Sequence, residues 1–537
     1  MRAFLSLKTR RGAWFYYTAL FAVFSILIFW GAWSPSRVPV MPDCPTVHSS
    51  YWFLEKVSNW LSEGRFVPGD VCPLLGGPAL WQELQYVVAV YFGGLGLMYF
   101  LLGRRLHPLA CAAAALFLSF SGYWFTLFAA GHFGWFQWMT YGTFAFGLID
   151  RLIEKGKLRH GVMLGAVLAW ASFYQPDLWL LFTLFSFAFF IFSLTFSSLR
   201  ASFRVVFARL WKGCAVALLF FVLIGSASFY HAFTVDLGTR KDQIASSSAN
   251  PSKSGQEQWL FVTNWSLPPA ETAEFFFPRH KGDTSCPLSL ALAQKAGKDL
   301  KPYTGALGRP YGANTGNYRQ HSLYFGNLFL LMALLGVICA CCRKSSSLAF
   351  AQRRYVFFFL GAAVLCWLLA MGRYCEPLYR LIYRLPFGDL IRAPVKWLHL
   401  TEFALAVVAA YGADALIRRV EIKHPRALAV AGLLIALVCL SPVMEDKRFC
   451  QVYPAQTVLQ PLPFQVLQDP RARQQLQQMR AIEVGRAPSR DYAVYAIPSP
   501  KNDKCPELKV TSSLTTALGI LSLLATLTAI GIGVKRS

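Results

Sequence analysis

The sequence predicts an all-α polytopic membrane protein of about twelve transmembrane helices, with both termini on the cytoplasmic side. Three observations predict it. The chain of 537 residues is 55% hydrophobic and 15% charged, whereas an ordinary soluble protein carries about 25% charged residues. Its apolar residues fall in runs of about 17–22, long enough to cross about 30 Å of hydrocarbon. Its Lys and Arg residues are concentrated in alternate loops, the asymmetry that orients helices in a bilayer.

The expected spans are 13–33, 84–102, 109–129, 136–150, 161–174, 178–197, 213–233, 323–342, 355–371, 397–416, 427–444 and 513–534. The fourth and fifth are short for a bilayer and are expected to be tilted, broken or partly re-entrant. The first follows Arg2, Lys8, Arg10 and Arg11. It is long and Trp-rich, and no small-residue cleavage site follows it, so it reads as a retained anchor. The expected organisation is a transmembrane core over 1–416 with outer loops 34–83 and 234–322. A two-span region over 417–537 follows, with an outer segment 445–512.

The net charge of +25 invites a nucleic-acid reading, and its distribution excludes one. The segments assigned to the inner side hold 24 of the 52 Lys and Arg residues but only Asp150, Glu154, Asp414 and Glu421 as acids. That side is therefore strongly positive, while the outer side is close to balanced. The excess is a topology signal. The inner loops are short and carry neither a P-loop nor a Rossmann glycine pattern, so any chemistry draws its energy from the outer side or from the lipid.

Outer segment 34–83 contains, over 49–64, Tyr51, Trp52, Leu54, Val57, Trp60 and Leu61 at helical spacing. This predicts an amphipathic helix on the membrane surface. Segment 234–322 opens on a polar stretch and continues Gly/Pro-rich, and 445–512 contains a polar, helix-compatible stretch near 469–482. Seven cysteines lie in spans, where Cys behaves as a small apolar residue. Of the six outer ones, Cys44–Cys72 and Cys450–Cys505 are each spaced to close one loop in an oxidising compartment.

Mid-bilayer ionisable residues are nearly absent, with His399 and Glu402 placed near an outer span end; the informative polar residues cluster at the outer face. Asp43 follows the first span by about ten residues, where a carboxylate reads either as a solvated turn residue or as a general base that deprotonates a hydroxyl. His132 emerges from the third span among aromatics and reads as a helix cap or a ligand. Asp177 is the sole charge of a very short outer turn, as an N-cap or a binding group. Glu271 and Arg279 come from WSLPPAETAEFFFPRHKG, and Arg392 and Lys396 from YRLPFGDLIRAPVKW. Arg and Lys at this level either grip a lipid phosphate or snorkel to headgroups.

Several of these segments resemble the YfhO-like bacterial membrane proteins of the C-type glycosyltransferase superfamily. The matching stretches are GRFVPGDVCPLLGGP, LSFSGYWFTLFAAGHFGWFQWMTYGTFAFGLIDR, NWSLPPAETAEFFFPRHKG and LYRLIYRLPFGDLIRAPVKWLHLTEFALAVVAAYGADAL. The last, with its R-x-P-x-K core, is the most specific. The resemblance implies a bacterial cytoplasmic-membrane enzyme that moves sugar from a polyprenyl-phosphate donor to an envelope glycan or lipid acceptor on the extracytoplasmic face. It places the acidic residue of the first outer loop, the superfamily's catalytic position, on Asp43. It implies no organic cofactor and leaves divalent-metal dependence open. A paired-acid motif is missing around Asp43, and 445–512 is shorter than the C-terminal domain many such proteins carry. A flippase of lipid-linked glycans, a polysaccharide ligase or polymerase, and a non-catalytic scaffold remain alternatives.

Overall fold

The computed structural model describes chiefly residues 9–30, 77–198, 203–231, 254–284, 300–307, 323–342, 350–385, 391–423, 457–486, 492–498 and 513–534. Asp43, the stretch 49–64, the paired cysteines and nearly all of 427–444 lie outside the described residues.

The described membrane portion is helical. Its first part comprises α1 (Arg10–Ile28), α2 (Gly77–Gly103), α3 (Pro108–Ser119), α4 (Gly122–Ala130), α5 (Phe133–Gln137), α6 (Met139–Gly142) and α7 (Phe144–Lys155). Then come α8 (Leu158–Ser172), α9 (Pro176–Ser198), α10 (Phe203–His231) and the short α11 (Ser254–Val262). Helices α12 (Asn327–Cys341), α13 (Phe350–Ala370), α14 (Glu376–Tyr383) and α15 (Leu398–Lys423) complete the core.

Among the described residues, seven helical runs are long and apolar enough to cross a membrane. They match the first, second, third, sixth, seventh, ninth and tenth expected spans. The eighth is an apolar helix of 15 residues, and the twelfth contains the shorter apolar stretch Ala517–Gly533. The fourth is broken into α5, α6 and α7, as its shortness suggested. The fifth is α8, whose 15 residues rise only about 22 Å. One break was not expected. The third span divides at Phe120–Ser121, where Ser121 takes an extended backbone (φ −65°, ψ 140°) and its hydroxyl accepts from the Tyr123 N–H at 3.2 Å.

Helix pairing relies on small residues that let backbones touch. A Cβ placed on Gly412 of α15 would stand 2.0 Å from the Met332 carbonyl of α12, and one on Gly336 2.4 Å from the Val408 carbonyl. α8 meets α10 in the same way through Gly161 and Gly165. Large aromatics fill the remaining interior, with Phe146 packed among Phe182, Phe185, Phe189, Phe359 and Phe403.

The segment expected to be loop with one helical stretch carries, besides that helix, a small sheet. Strands β3 (Thr457–Pro463), β5 (Tyr492–Pro498) and β4 (Ile482–Arg486) form an antiparallel sheet in the order β3-β5-β4. Between β3 and β4 run α16 (Phe464–Gln468) and α17 (Pro470–Gln478), the latter capped by Asp469, whose carboxylate accepts from the Arg471 N–H. Leu467 and Leu476 form the small core of this unit. A two-stranded pairing, β1 (Arg37–Pro39) with β2 (Val452–Pro454), ties the chain after the first span to this segment four residues ahead of Asp43 in the sequence. The last helix, α18 (Ser513–Val534), packs against α10 and α8.

Candidate functional site

Among the described residues, two groups of polar side chains stand out, one near loops expected on the inner side and one near loops expected on the outer side. In the first, Arg104 pairs with Asp150 while lying 3.7 Å over the Tyr355 ring. There too Asp414 pairs with Arg418 at 2.9 Å and accepts from the His107 N–H at 2.5 Å. In the second meet His132, Asp177 and Lys396, from three loops assigned to the outer face.

Lys396 is the centre of this second group. It lies in the 3-10 turn Pro394–Trp397 that leads into α15, with 4% of its surface exposed. Its ammonium pairs with the Asp177 carboxylate and lies 4.8 Å over the Trp135 ring. His132 stacks on the other partner of that cage, its ring 5.1 Å from Trp135 at an interplanar angle of 24°. A desolvated cation over an indole gains up to about 2 kcal/mol beyond its ion pair. Asp177 also accepts from the Leu178 N–H at 2.9 Å in the first turn of α9, so it is held from two sides.

The backbone around Lys396 is clamped and strained. Ala393 N–H donates to the Val262 carbonyl (3.1 Å) and Val395 N–H to Trp265 (3.0 Å). Leu267 N–H donates to Ala370 (2.8 Å), and the Arg373 guanidinium donates twice to the Thr263 carbonyl, at 3.2 and 2.8 Å. Ala393 sits at φ +64°, a left-handed conformation that costs a non-glycine residue about 1–3 kcal/mol and persists only where its surroundings impose it. Such outliers concentrate at functional sites. Beneath this clamp the Tyr379 hydroxyl donates to the Ile391 carbonyl at 3.3 Å; burial, above all, pushes its phenol up, which keeps the hydroxyl a donor.

The remaining sequence-predicted residues fall into two groups. Arg392, four residues before Lys396, is half-buried beside the clamp. Glu271 and Arg279 belong to a separate hydrogen-bonded unit. Glu271 is 2% exposed and accepts from Tyr303 Oη (2.5 Å), Ala306 N (2.6 Å) and Leu307 N (3.2 Å). Arg279, at φ +63°, faces Asp283 at 3.8 Å. Glu271 thus organises the fold of its own segment. Asp43, the expected general base, lies outside the described residues.

Sequence reasoning placed His399 and Glu402 merely near a span end and passed over Glu83. All three have no exposed surface. The His399 ring is enclosed by Trp124 (4.8 Å), Tyr123 (5.1 Å), Trp135 (5.9 Å) and Trp138 (6.3 Å). The signal was in the chain: Lys396, His399 and Glu402 recur every three residues, which puts them on one helical face. Among the described residues no group of three or more His, Cys, Asp or Glu side chains is arranged to hold a metal ion. No protein-family model, curated protein or solved structure matches this chain.

Proposed function

We propose that this chain is a membrane glycosyltransferase that moves a sugar from a polyprenyl-phosphate donor to an envelope glycan or lipid acceptor on the extracytoplasmic face of a bacterial cytoplasmic membrane. The observation that carries this reading is the buried Lys396 ammonium, brought by a strained turn against Trp135 and Asp177, with His132 stacked on the same Trp135 ring. An anionic lipid headgroup is the ligand such a group fits, with Arg392 four residues away to share the charge.

In this reading the donor phosphate exchanges onto Lys396 and Arg392. The acceptor hydroxyl attacks the anomeric carbon, the bond from that carbon to the phosphate oxygen breaks, and the hydroxyl proton passes to Asp43. The released phosphate needs no strong general acid, because fixed cations stabilise its charge. The pairing of Arg37–Pro39 with Val452–Pro454 gives the chain leading to Asp43 a fixed anchor. An activated donor supplies the energy, consistent with short basic inner loops.

Transport of the lipid-linked sugar is a second reading, favoured by one observation: the third span is broken at Ser121, close to the buried Glu402, and discontinuous helices mark transporter sites. Product formation separates the two. Purified protein in liposomes, given labelled polyprenyl-phosphate sugars and a panel of acceptors, should form labelled product, and Asp43→Asn should lower the rate about 10²–10⁴-fold at unchanged thermal stability. Labelled lipid that crosses the bilayer without forming product overturns the transferase reading.

A further inference from the structure

One helical turn past the Lys396 cage lies a buried polar group that sugar transfer does not use. Among the described residues neither carboxyl oxygen of Glu402 has a hydrogen-bond partner, nor has His399 Nδ1, nor Nε1 of Trp124 packed against the imidazole. The Ser121 hydroxyl, at the break between α3 and α4, lies close to the Glu402 carboxyl. Tyr123 Oη stands 3.4 Å from His399 Nε2 and 3.4 Å from the Val395 carbonyl. A fully buried carboxyl with empty acceptor positions is strongly disfavoured as a bare anion. It persists where it carries a proton or binds a cation.

The surroundings decide between these. A calcium ion needs six to eight oxygen ligands and magnesium an octahedron, whereas this group offers one carboxyl, two hydroxyls and an imidazole beside aromatic rings. A proton needs one acceptor and no open volume. Among the described residues, the charged and titratable groups near the pair are Lys396 on its own helical run, itself paired with Asp177 of α9, and Tyr123 on α4; the Phe403 neighbourhood on α7 and α9 is aromatic and uncharged. His399 is therefore the group between the Lys396–Asp177 mouth and Glu402, and an imidazole can accept a proton on one nitrogen while releasing one from the other.

We propose that His399 and Glu402, closed by Ser121 and Tyr123, form a membrane-buried proton-binding site that loads and releases one proton. Loading forms an O–H bond on Glu402 and breaks one on a hydronium ion at the outer mouth, with His399 as the relay. The site lies at the break in the third span, so its charge state is positioned to act on the α3–α4 geometry and on Lys396 about 9 Å along the helix. The proposal holds whether the chain transfers or transports its lipid.

The test uses the full-length protein in lipid nanodiscs and the apolar reagent dicyclohexylcarbodiimide. A protonated carboxyl adds across the N=C=N unit, giving its proton to a carbodiimide nitrogen, and rearranges to a stable N-acylurea that peptide mass mapping locates. Glu402 should be labelled, with a rate that falls about tenfold per pH unit above its midpoint, and a water-soluble carbodiimide should leave it unmodified. His399→Gln should move the midpoint while thermal stability holds. Glu83, also fully buried with unpartnered oxygens, serves as the internal reference. In parallel, the part of the infrared carboxylic-acid band that wild type has and Glu402→Gln lacks should titrate with pH. Labelling of Glu83 without Glu402, or an infrared spectrum unchanged by Glu402→Gln at every pH, overturns the proposal.

Discussion

Asp177→Asn leaves the Lys396 ammonium in place without its counter-charge. The two side chains are 12% and 5% exposed, so neither charge can recover its hydration by a small movement. Removing one partner from a buried pair costs about 3–5 kcal/mol, whereas replacing both by neutral groups is often nearly neutral. Asp177→Asn and Lys396→Met should therefore each lower thermal stability markedly, and the double variant should recover most of the loss. The resulting coupling energy is expected near 3 kcal/mol. That magnitude separates the pair from an ordinary polar contact between membrane helices, which averages about 0.6 kcal/mol. Thermal unfolding in one detergent, monitored on all four proteins, measures it. Single-variant losses that simply add in the double variant, within about 0.5 kcal/mol, would show that Lys396 and Asp177 do not face each other and would remove the cage.

Three further outcomes are expected. A reporter active only outside the cytoplasm should work when fused after residue 290 and fail after 155 or 348; the reverse pattern sinks the orientation. Gly412→Leu places side-chain atoms where the Met332 carbonyl stands 2.0 Å from the Cβ position, so it should separate α12 from α15 and abolish accumulation of folded protein, while Gly103→Leu, with open space around it, should be silent. In the first turn of α8, just ahead of the expected span 161–174, burial and then the cations Arg159, Arg151, Lys155 and Lys157 push the His160 imidazole down to about 4. Because the unfolded chain takes up that proton near pH 6.5 and the folded chain does not, stability should fall as pH drops from about 6.5 towards 4; His160→Gln should flatten that part of the profile, and an unchanged profile refutes the assignment.

How legible each feature was depends on the range of the interactions that make it. Spans such as 84–102 and 397–416 were legible because hydrocarbon thickness imposes a length on any apolar run. The break at Phe120–Ser121 was not, since Ser119, Ser121 and Gly122 are embedded in an otherwise apolar run, although Ser121 serves there as the N-cap of α4. Strands β3 and β5 escaped notice because each is seven residues long and ends in Pro, which masks alternation. The site residues His132, Asp177 and Lys396 were individually visible as outer-face polar groups. Their convergence was not, because Asp177 and Lys396 are 219 residues apart and no local period links them. Glu271 looked equally suited to a ligand role, yet its acceptor capacity is taken up by Tyr303, Ala306 and Leu307.

The claim that Lys396 receives a lipid phosphate is tested most directly by equilibrium binding of a polyprenyl phosphate to the purified protein in nanodiscs. The Lys396→Met/Asp177→Asn double variant is the informative comparison, since it removes the cation without stranding a charge. A charge-assisted contact is worth about 1.5–3 kcal/mol, so affinity should be about 10- to 150-fold weaker in the double variant. Binding of the polyprenyl phosphate to the folded double variant as tightly as to wild type would contradict it.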